Sequence, residues 1–232
     1  MPKFYKTKTK EYPDGTRVLT VYKNAVTSET SNTSAVIMST EELEPSAEEK
    51  ELAKQRNLWK VRTKIKDYCL SNNFTFFWTM TFKSNRYDYQ DAFDRMGRWL
   101  RKMRDKYGKF DYIFIPERHK DGAIHFHGVT GGVNGHIVDS GVKHRGAKVF
   151  NCTDWEYGFT ELTAIRSREK CASYITKYVT KDMQNSIVGK GKKKYWCSRG
   201  LRLPAVSYSE YDLSLGLEPD YENDTCTIFK IE

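Results

Sequence analysis

The stretch from Phe110 to Val129 constrains the fold most. Phe110–Glu117 and Ala123–Val129 are both rich in aromatic and β-branched residues, and only Arg118–Gly122 separates them. Two strand-type runs joined by so short a turn pair antiparallel, because a parallel pair needs a crossover of a dozen or more residues. The other periodic segments arrange themselves around this hairpin. Phe74–Phe82 reads as a strand and Gly158–Ile165 as another. Tyr89–Tyr107 reads as a helix with Phe93, Met96, Leu100, Met103 and Tyr107 on one face and Arg95, Arg98, Arg101 and Arg104 outside it. Glu169–Met183 reads as a second helix. The order strand, helix, strand, strand, strand, helix predicts an α+β domain with a central antiparallel sheet and flanking helices, close to the split βαβ plan. A strand at Tyr195–Cys197 makes that sheet five-stranded.

Outside this core, residues 3–26 read as a hairpin turning at Pro13-Asp14-Gly15, and 27–45 as a Ser/Thr/Glu-rich linker. Ser46 with Glu49 three residues on is a capping-box signal for a helix running to about Leu70, with Leu58, Val61, Ile65 and Tyr68 as its apolar stripe. Gly131–Val149 is polar and Gly-rich, a long loop or ragged hairpin. The expected organisation is a hairpin and linker over 1–45, a central domain over 46–205 and an acidic tail over 206–232.

Several classes are disfavoured. No apolar run approaches the ~20 residues of a membrane span. The start, Met1-Pro2-Lys3-Phe4-Tyr5-Lys6, lacks the apolar core of a secretory signal. The five cysteines, Cys69, Cys152, Cys171, Cys197 and Cys226, are scattered and never spaced C-x-x-C, so a reducing cytoplasm is the expected compartment. No phosphate-binding G-x-x-x-x-G-K-[ST] loop occurs. The formal charge of +9 favours an anionic partner, nucleic acid before membrane. It also conceals an imbalance: residues 205–232 hold seven acids and one base (−6), leaving +15 on residues 1–204.

The densest chemical signal runs from Pro116 to Gly128 and contains Glu117, His125, Phe126 and His127. On a strand His125 and His127 point to one face while Phe126 points to the other. A hairpin with the preceding strand brings the Glu117 carboxylate beside them. Two imidazoles and a carboxylate suit Mn²⁺, Zn²⁺ or Fe²⁺ and, less strongly, Mg²⁺. His119 shares the parity of Glu117 and is the alternative third ligand. The competing reading is an incidental His pair with a structural role.

The second signal is Tyr174, Lys177, Tyr178 and Lys181, spaced i, i+3, i+4, i+7. On a helix they form one stripe of two phenols and two ammoniums, beside an apolar stripe of Ala172, Ile175 and Val179. A nearby ammonium favours the phenolate and neutralises phosphate charge. The plain alternative is an amphipathic helix with snorkelling lysines. A third signal mixes cations and aromatic faces: Lys190, Lys192, Lys193, Lys194, Tyr195, Trp196, Arg199 and Arg202. That composition suits single-stranded DNA, with Lys83 as a further candidate contact.

Taken in order, His125-Phe126-His127, the upstream Glu117, the helix with two Tyr-x-x-Lys units, and the strand Trp78-Thr79-Met80-Thr81-Phe82 resemble the HUH endonucleases. Within these the chain is most similar to rolling-circle replication initiators (Rep) of small phages and plasmids, over roughly residues 74–205. The resemblance implies a nickase and strand transferase for single-stranded or hairpin origin DNA, working with a host helicase and polymerase. It implies Tyr174 and Tyr178 as nucleophiles, Lys177 and Lys181 as phosphate or phenolate partners, and Mn²⁺ or Mg²⁺ on Glu117, His125 and His127. Two alternatives stay open: a single-strand transposase of the same superfamily, and a non-catalytic RRM-like nucleic-acid-binding domain.

Overall fold

The computed structural model describes residues 4–27, 46–184 and 195–232. These contain three helices and two antiparallel sheets, so the chain is α+β. It divides into two compact units, one of residues 1–50 with 203–232, the other of residues 51–202. No helix of the described residues is long and apolar enough to cross a membrane.

The larger unit is built on a seven-stranded sheet. Its strands are β3 (Phe76–Met80), β4 (Asp111–Arg118), β5 (Ile124–Gly131), β6 (Ile137–His144), β7 (Ala147–Cys152), β8 (Thr160–Ala164) and β9 (Trp196–Cys197), in the order β6-β7-β8-β3-β5-β4-β9. The expected five strands are present as β8-β3-β5-β4-β9. The additional pair, β6 and β7, comes from the stretch expected as a loop or ragged hairpin. Its register is broken between Asp139 and Lys143, and Gly141 within it has φ +74°, which dilutes the strand pattern in the sequence.

Helix α2 (Tyr89–Tyr107) covers one face of this sheet. Asp88 caps it by accepting from the Asp91 backbone N–H, and Gly108, at φ 85°, ends it. Met96, Trp99, Leu100 and Met103 pack there against Trp78, Phe114 and Phe126. Helices α1 (Ala47–Ser71) and α3 (Arg168–Gln184) cover the other face, where Leu58, Ile65, Ala172, Ile175 and Val179 meet Ile113, Ile115 and Val129. The capping box closes α1 with both of its hydrogen bonds, Ser46 N–H to Glu49 at 2.9 Å and Glu49 N–H to Ser46 at 3.1 Å. Complete burial of Ala172, Ile175 and Val179 fixes the roll of α3, which decides what its remaining faces present.

The smaller unit holds β1 (Phe4–Glu11), β2 (Arg17–Thr27), β10 (Ala205–Ser209), β11 (Tyr221–Glu222) and β12 (Cys226–Ile231), in the order β10-β1-β2-β12-β11. The composition of 206–232 predicts an acidic tail, but β12 pairs with β2 and β10 with β1. The alternation Cys226-Thr-Ile-Phe-Lys-Ile carries that pairing, and Phe229 is buried beside Leu19 and Val21.

Candidate active site

The site forms where β3, β4 and β5 face α3. On β4 and β5 the register sets Glu117 directly opposite His125 and Ile115 opposite His127, so the carboxylate and both imidazoles share one face. Phe126, of opposite parity, is fully buried on the α2 side. Glu117 and His127 are buried, and His127 Nε2 lies 2.7 Å from Glu117 Oε2. On β3, Thr79 is the pairing partner of His127, and its Oγ1 lies 3.3 Å from His127 Nδ1. The His127 ring is therefore gripped at both nitrogens.

His125 is half-buried, its ring centroid 6.4 Å from that of His127. Burial first, then the neighbouring His119 and His127, holds His125 below the ordinary imidazole value, which keeps it neutral and its lone pair available. His119 stacks on His125 at 4.9 Å and pairs with Asp121 at 3.2 Å, so it flanks the strand pair from the turn.

Helix α3 completes the arrangement. The Tyr178 ring lies flat on His127, with centroids 3.9 Å apart and planes 11° from parallel. Its hydroxyl donates to the Tyr174 hydroxyl at 2.8 Å. The two phenols differ: Tyr178 is half-buried, whereas Tyr174 is 46 % exposed. Burial, the hydrogen bond to Tyr174 and the nearby Glu117 all raise the Tyr178 pKa above the ordinary phenol value. Lys177 is exposed, with its ammonium 5.7 Å from the centre of the Tyr174 ring. Lys181 lies in the last turn of α3, and its side chain is outside the described residues, as are Lys190, Lys192, Lys193 and Lys194.

The structure thus gathers Glu117, His125, His127, Tyr174, Lys177 and Tyr178. Of the other described candidates it gathers none. Trp196 pairs with Phe114 on β4, and its ring lies tilted by 33° against Phe93 of α2 at 4.8 Å, which places it on the opposite face of the sheet. Lys83, Arg199 and Arg202 are exposed, with Lys83 just beyond β3 and the two arginines following β9. The backbone of Arg202 is bonded twice to the Asn72 side chain. Two site residues are added. Phe77 sits 5.1 Å from the Tyr174 ring, 6.4 Å from Tyr178 and 6.2 Å from His127, the shared wall of all three. Thr79 orients His127. Both share a parity on β3, and the strand alternation of Phe77-Trp78-Thr79 is the signal that could have found them.

Among the described residues, no three His, Cys, Asp or Glu side chains are already arranged to hold a metal ion. The donor types fit one: a carboxylate and two imidazoles on one face of paired strands, one imidazole held from behind by a hydroxyl. As the side chains stand, Glu117 and His127 satisfy each other.

Residues 75–183 match the replication-associated protein ORF2/G2P family. The matched segment runs from β3 to α3 and contains every residue the site brings together, and it agrees with the Rep-type resemblance. No curated protein and no solved structure matches the chain.

Proposed function

We propose, for a chain whose residues 75–183 match replication-associated protein ORF2/G2P, that this site cuts and rejoins single-stranded origin DNA through tyrosine. The observation that supports this most is the stack of Tyr178 on His127, with Tyr174 joined to it by a hydroxyl bond. Two phenols one helical turn apart on α3 thereby stand beside the strand pair that carries Glu117, His125 and His127, a nucleophile type next to a carboxylate and two imidazoles.

In the proposed step a tyrosine Oη attacks the scissile phosphorus in line with the 3′ oxygen. The Oη–P bond forms as the phenol gives up its proton, the P–O3′ bond breaks, and the departing oxygen takes up a proton to become a free 3′-OH, so the step is proton-neutral. The 5′ end is left as a phosphotyrosine ester, and attack by a 3′-OH reverses the step without ATP. Tyr174 is the better placed to begin, since its oxygen is accessible and receives a hydrogen bond from Tyr178. Lys177 offers positive charge to the phosphate. Tyr178, tied down on His127, is the candidate for a second transfer. Glu117, His125 and His127 would hold Mn²⁺ or Mg²⁺ by giving up the Glu117–His127 bond. Such an ion, when bound, supplies Lewis-acid polarisation of the phosphate oxygens.

The test is incubation with single-stranded origin DNA and Mn²⁺ followed by a denaturing gel. A covalent protein–DNA adduct is expected from the parent chain, and none from the Tyr174→Phe/Tyr178→Phe double variant. An adduct that persists in the double variant overturns the assignment.

A further inference from the structure

His127 is held within its own plane at both ring nitrogens, by Thr79 Oγ1 at 3.3 Å from Nδ1 and by Glu117 Oε2 at 2.7 Å from Nε2. Bonds to ring nitrogens act in the ring plane and resist rotation out of it only as a pair. A contact of another kind acts across the plane. The Tyr178 ring covers one face of the imidazole, with centroids 3.9 Å apart and planes 11° from parallel. The other aromatic neighbours of His127 stand farther off, Phe77 at 6.2 Å and His125 at 6.4 Å. A ring lying across His127 from Tyr178 would be farther from Tyr178 than from His127 by the full stacking distance. Phe77, at 6.4 Å from Tyr178, is nearly equidistant from the two, so it borders the edge of the stack. Among the described residues, Tyr178 is therefore the ring that lies flat on this imidazole.

The helix fixes Tyr178 there. Ala172, Ile175 and Val179 are fully buried against the β4 and β5 residues Ile113, Ile115 and Val129, which stops α3 from rolling. The hydroxyl takes no part in the contact with His127, since it donates to the Tyr174 hydroxyl at 2.8 Å. Tyr174 in turn meets Phe77 and Tyr178 but does not stack on His127.

The stack matters most for the metal-assisted reading proposed above, on which this inference rests. Nε2 has a single in-plane position, so it cannot bond Glu117 and an ion at once. When Glu117 turns away from Nε2, Thr79 alone holds the ring. The Cβ–Cγ torsion of histidine is soft, and one bond at Nδ1 leaves the ring free to swing about it. The Tyr178 face forbids that swing, because turning the imidazole drives its edge into a ring already at contact distance.

We infer that the Tyr178 ring, independently of its hydroxyl, is a positioning residue that holds the plane of His127 while Glu117 is exchanged for a metal ion. Tyr178 thus carries two separable contributions, a hydroxyl that can attack and a ring that steadies a ligand. Leaving the stack to reach a phosphorus surrenders the second. Tyr174 can move without disturbing His127, which favours Tyr174 for the first attack.

The experiment measures Mn²⁺ binding to the full chain by calorimetry, with thermal melts in parallel. Tyr178→Phe keeps the flat ring and should bind Mn²⁺ within about two-fold of the parent. Tyr178→Leu keeps an apolar side chain without a ring face and should bind about ten-fold more weakly or worse. Tyr174→Leu removes the other phenol and should bind like the parent. Carbon–proton correlation NMR reads the stack without metal. The ring protons of His127 should be shifted upfield by the Tyr178 ring current in the parent and in Tyr178→Phe, and lose that shift in Tyr178→Leu. If Tyr178→Leu melts well below the parent, Tyr178→Met takes its place with the same expected values. Parent-like Mn²⁺ affinity in the ringless variant overturns the inference, as does an upfield shift that survives there. Binding by Tyr178→Phe as weak as by Tyr178→Leu moves the role to the hydroxyl and overturns it too. A parent that binds no Mn²⁺ removes the metal reading and the inference with it. Tyrosine attack is read separately by the adduct of the Tyr174→Phe/Tyr178→Phe test, so the failures differ.

Discussion

Gly128→Ala tests how tightly the strand pair that carries Glu117, His125 and His127 is specified. Gly128 follows His127 on β5 and pairs with Phe114 on β4. A Cβ there would lie 2.2 and 2.5 Å from two Phe114 ring atoms and 2.6 Å from the Ile113 carbonyl oxygen. Ordinary contact begins near 3.4 Å, so the ring must retreat by about 1.2 Å. It has no room, because Phe114 is fully buried and wedged edge-on against Trp78 at 6.1 Å and Trp99 at 5.9 Å. The carbonyl moves only if β4 moves. Overpacking costs about 1–3 kcal/mol, and involvement of backbone places this case near the upper end. For a domain of this size that is a fall in Tm of about 6–12 °C. Three residues along the same ladder Glu117 faces His125, so any shift of β4 on β5 also displaces the carboxylate from the two imidazoles, and adduct yield should fall about ten-fold or more. Gly97→Ala is the control: its Cβ would approach only the Trp196 ring edge at 3.2 Å, and the gain in helix propensity of about 1 kcal/mol offsets that crowding. Thermal melts of the two variants, with adduct formation measured in parallel, check the argument. A Gly128→Ala protein melting within 2 °C of the parent (on the order of 1 kcal/mol or less) would refute it.

Tyr174→Phe should reduce the first adduct more than Tyr178→Phe, in time courses with origin strand. Each single variant should lose only about 0.5–1.5 kcal/mol of stability, because only the 2.8 Å hydroxyl bond is removed. Thr79→Val deletes the hydroxyl 3.3 Å from His127 Nδ1 while keeping the shape; calorimetric Mn²⁺ affinity should fall about 10–100-fold with Tm nearly unchanged. The Asp154 carboxyl accepts from the His136 N–H at 2.8 Å, Lys106 at 3.1 Å and Tyr107 at 3.0 Å. Burial alone would raise its pKa; these bonds outweigh burial and hold it below the ordinary carboxylate value. Its stabilisation is therefore complete above the unfolded pKa, about 3.9, and fades as pH falls through the lower folded value. Asp154→Asn should cost about 2 kcal/mol at pH 7, and urea titrations should show the gap from the parent closing as the pH falls through the lowered folded value.

The core of the larger unit was legible because its elements carry strong single periods. Tyr89–Tyr107 repeats at helical spacing between Asp88 and Gly108, and the helix occupies those residues. The Glu117, His125 and His127 set followed from strand parity and one short turn. Thr79 and Phe77 were harder to see, because their role arises only when β3 inserts between β8 and β5, a non-local pairing. The side of the sheet that Trp196 takes was hidden for a related reason: its basic neighbours give it the composition of a DNA contact, and only pairing with Phe114 shows that the ring lies toward α2, away from the Tyr174–His127 site. The strands of 205–232 were hidden by seven acids, most of them in turns, so that composition overrode the short alternation at Cys226–Ile231.

That last point changes how the acidic segment can be tested. If its charge competes with nonspecific DNA, deleting 206–232 should raise nonspecific affinity. Deletion, however, also removes β12, which lies between β2 and β11, and with it Phe229 from the small apolar cluster. Such a variant would expose the core of the unit and bind DNA or aggregate for reasons unrelated to charge. Glu210→Gln/Glu218→Gln/Asp224→Asn raises the net charge by three and touches no strand interior, since all three residues are exposed and lie between strands. If the acids compete, this variant binds nonspecific duplex more tightly at low salt, and the difference disappears near 1 M salt, where screening acts within about 3 Å. Equal affinities at low salt would remove competition as the purpose of these acids and leave the fold of the second sheet as the reason the segment is present.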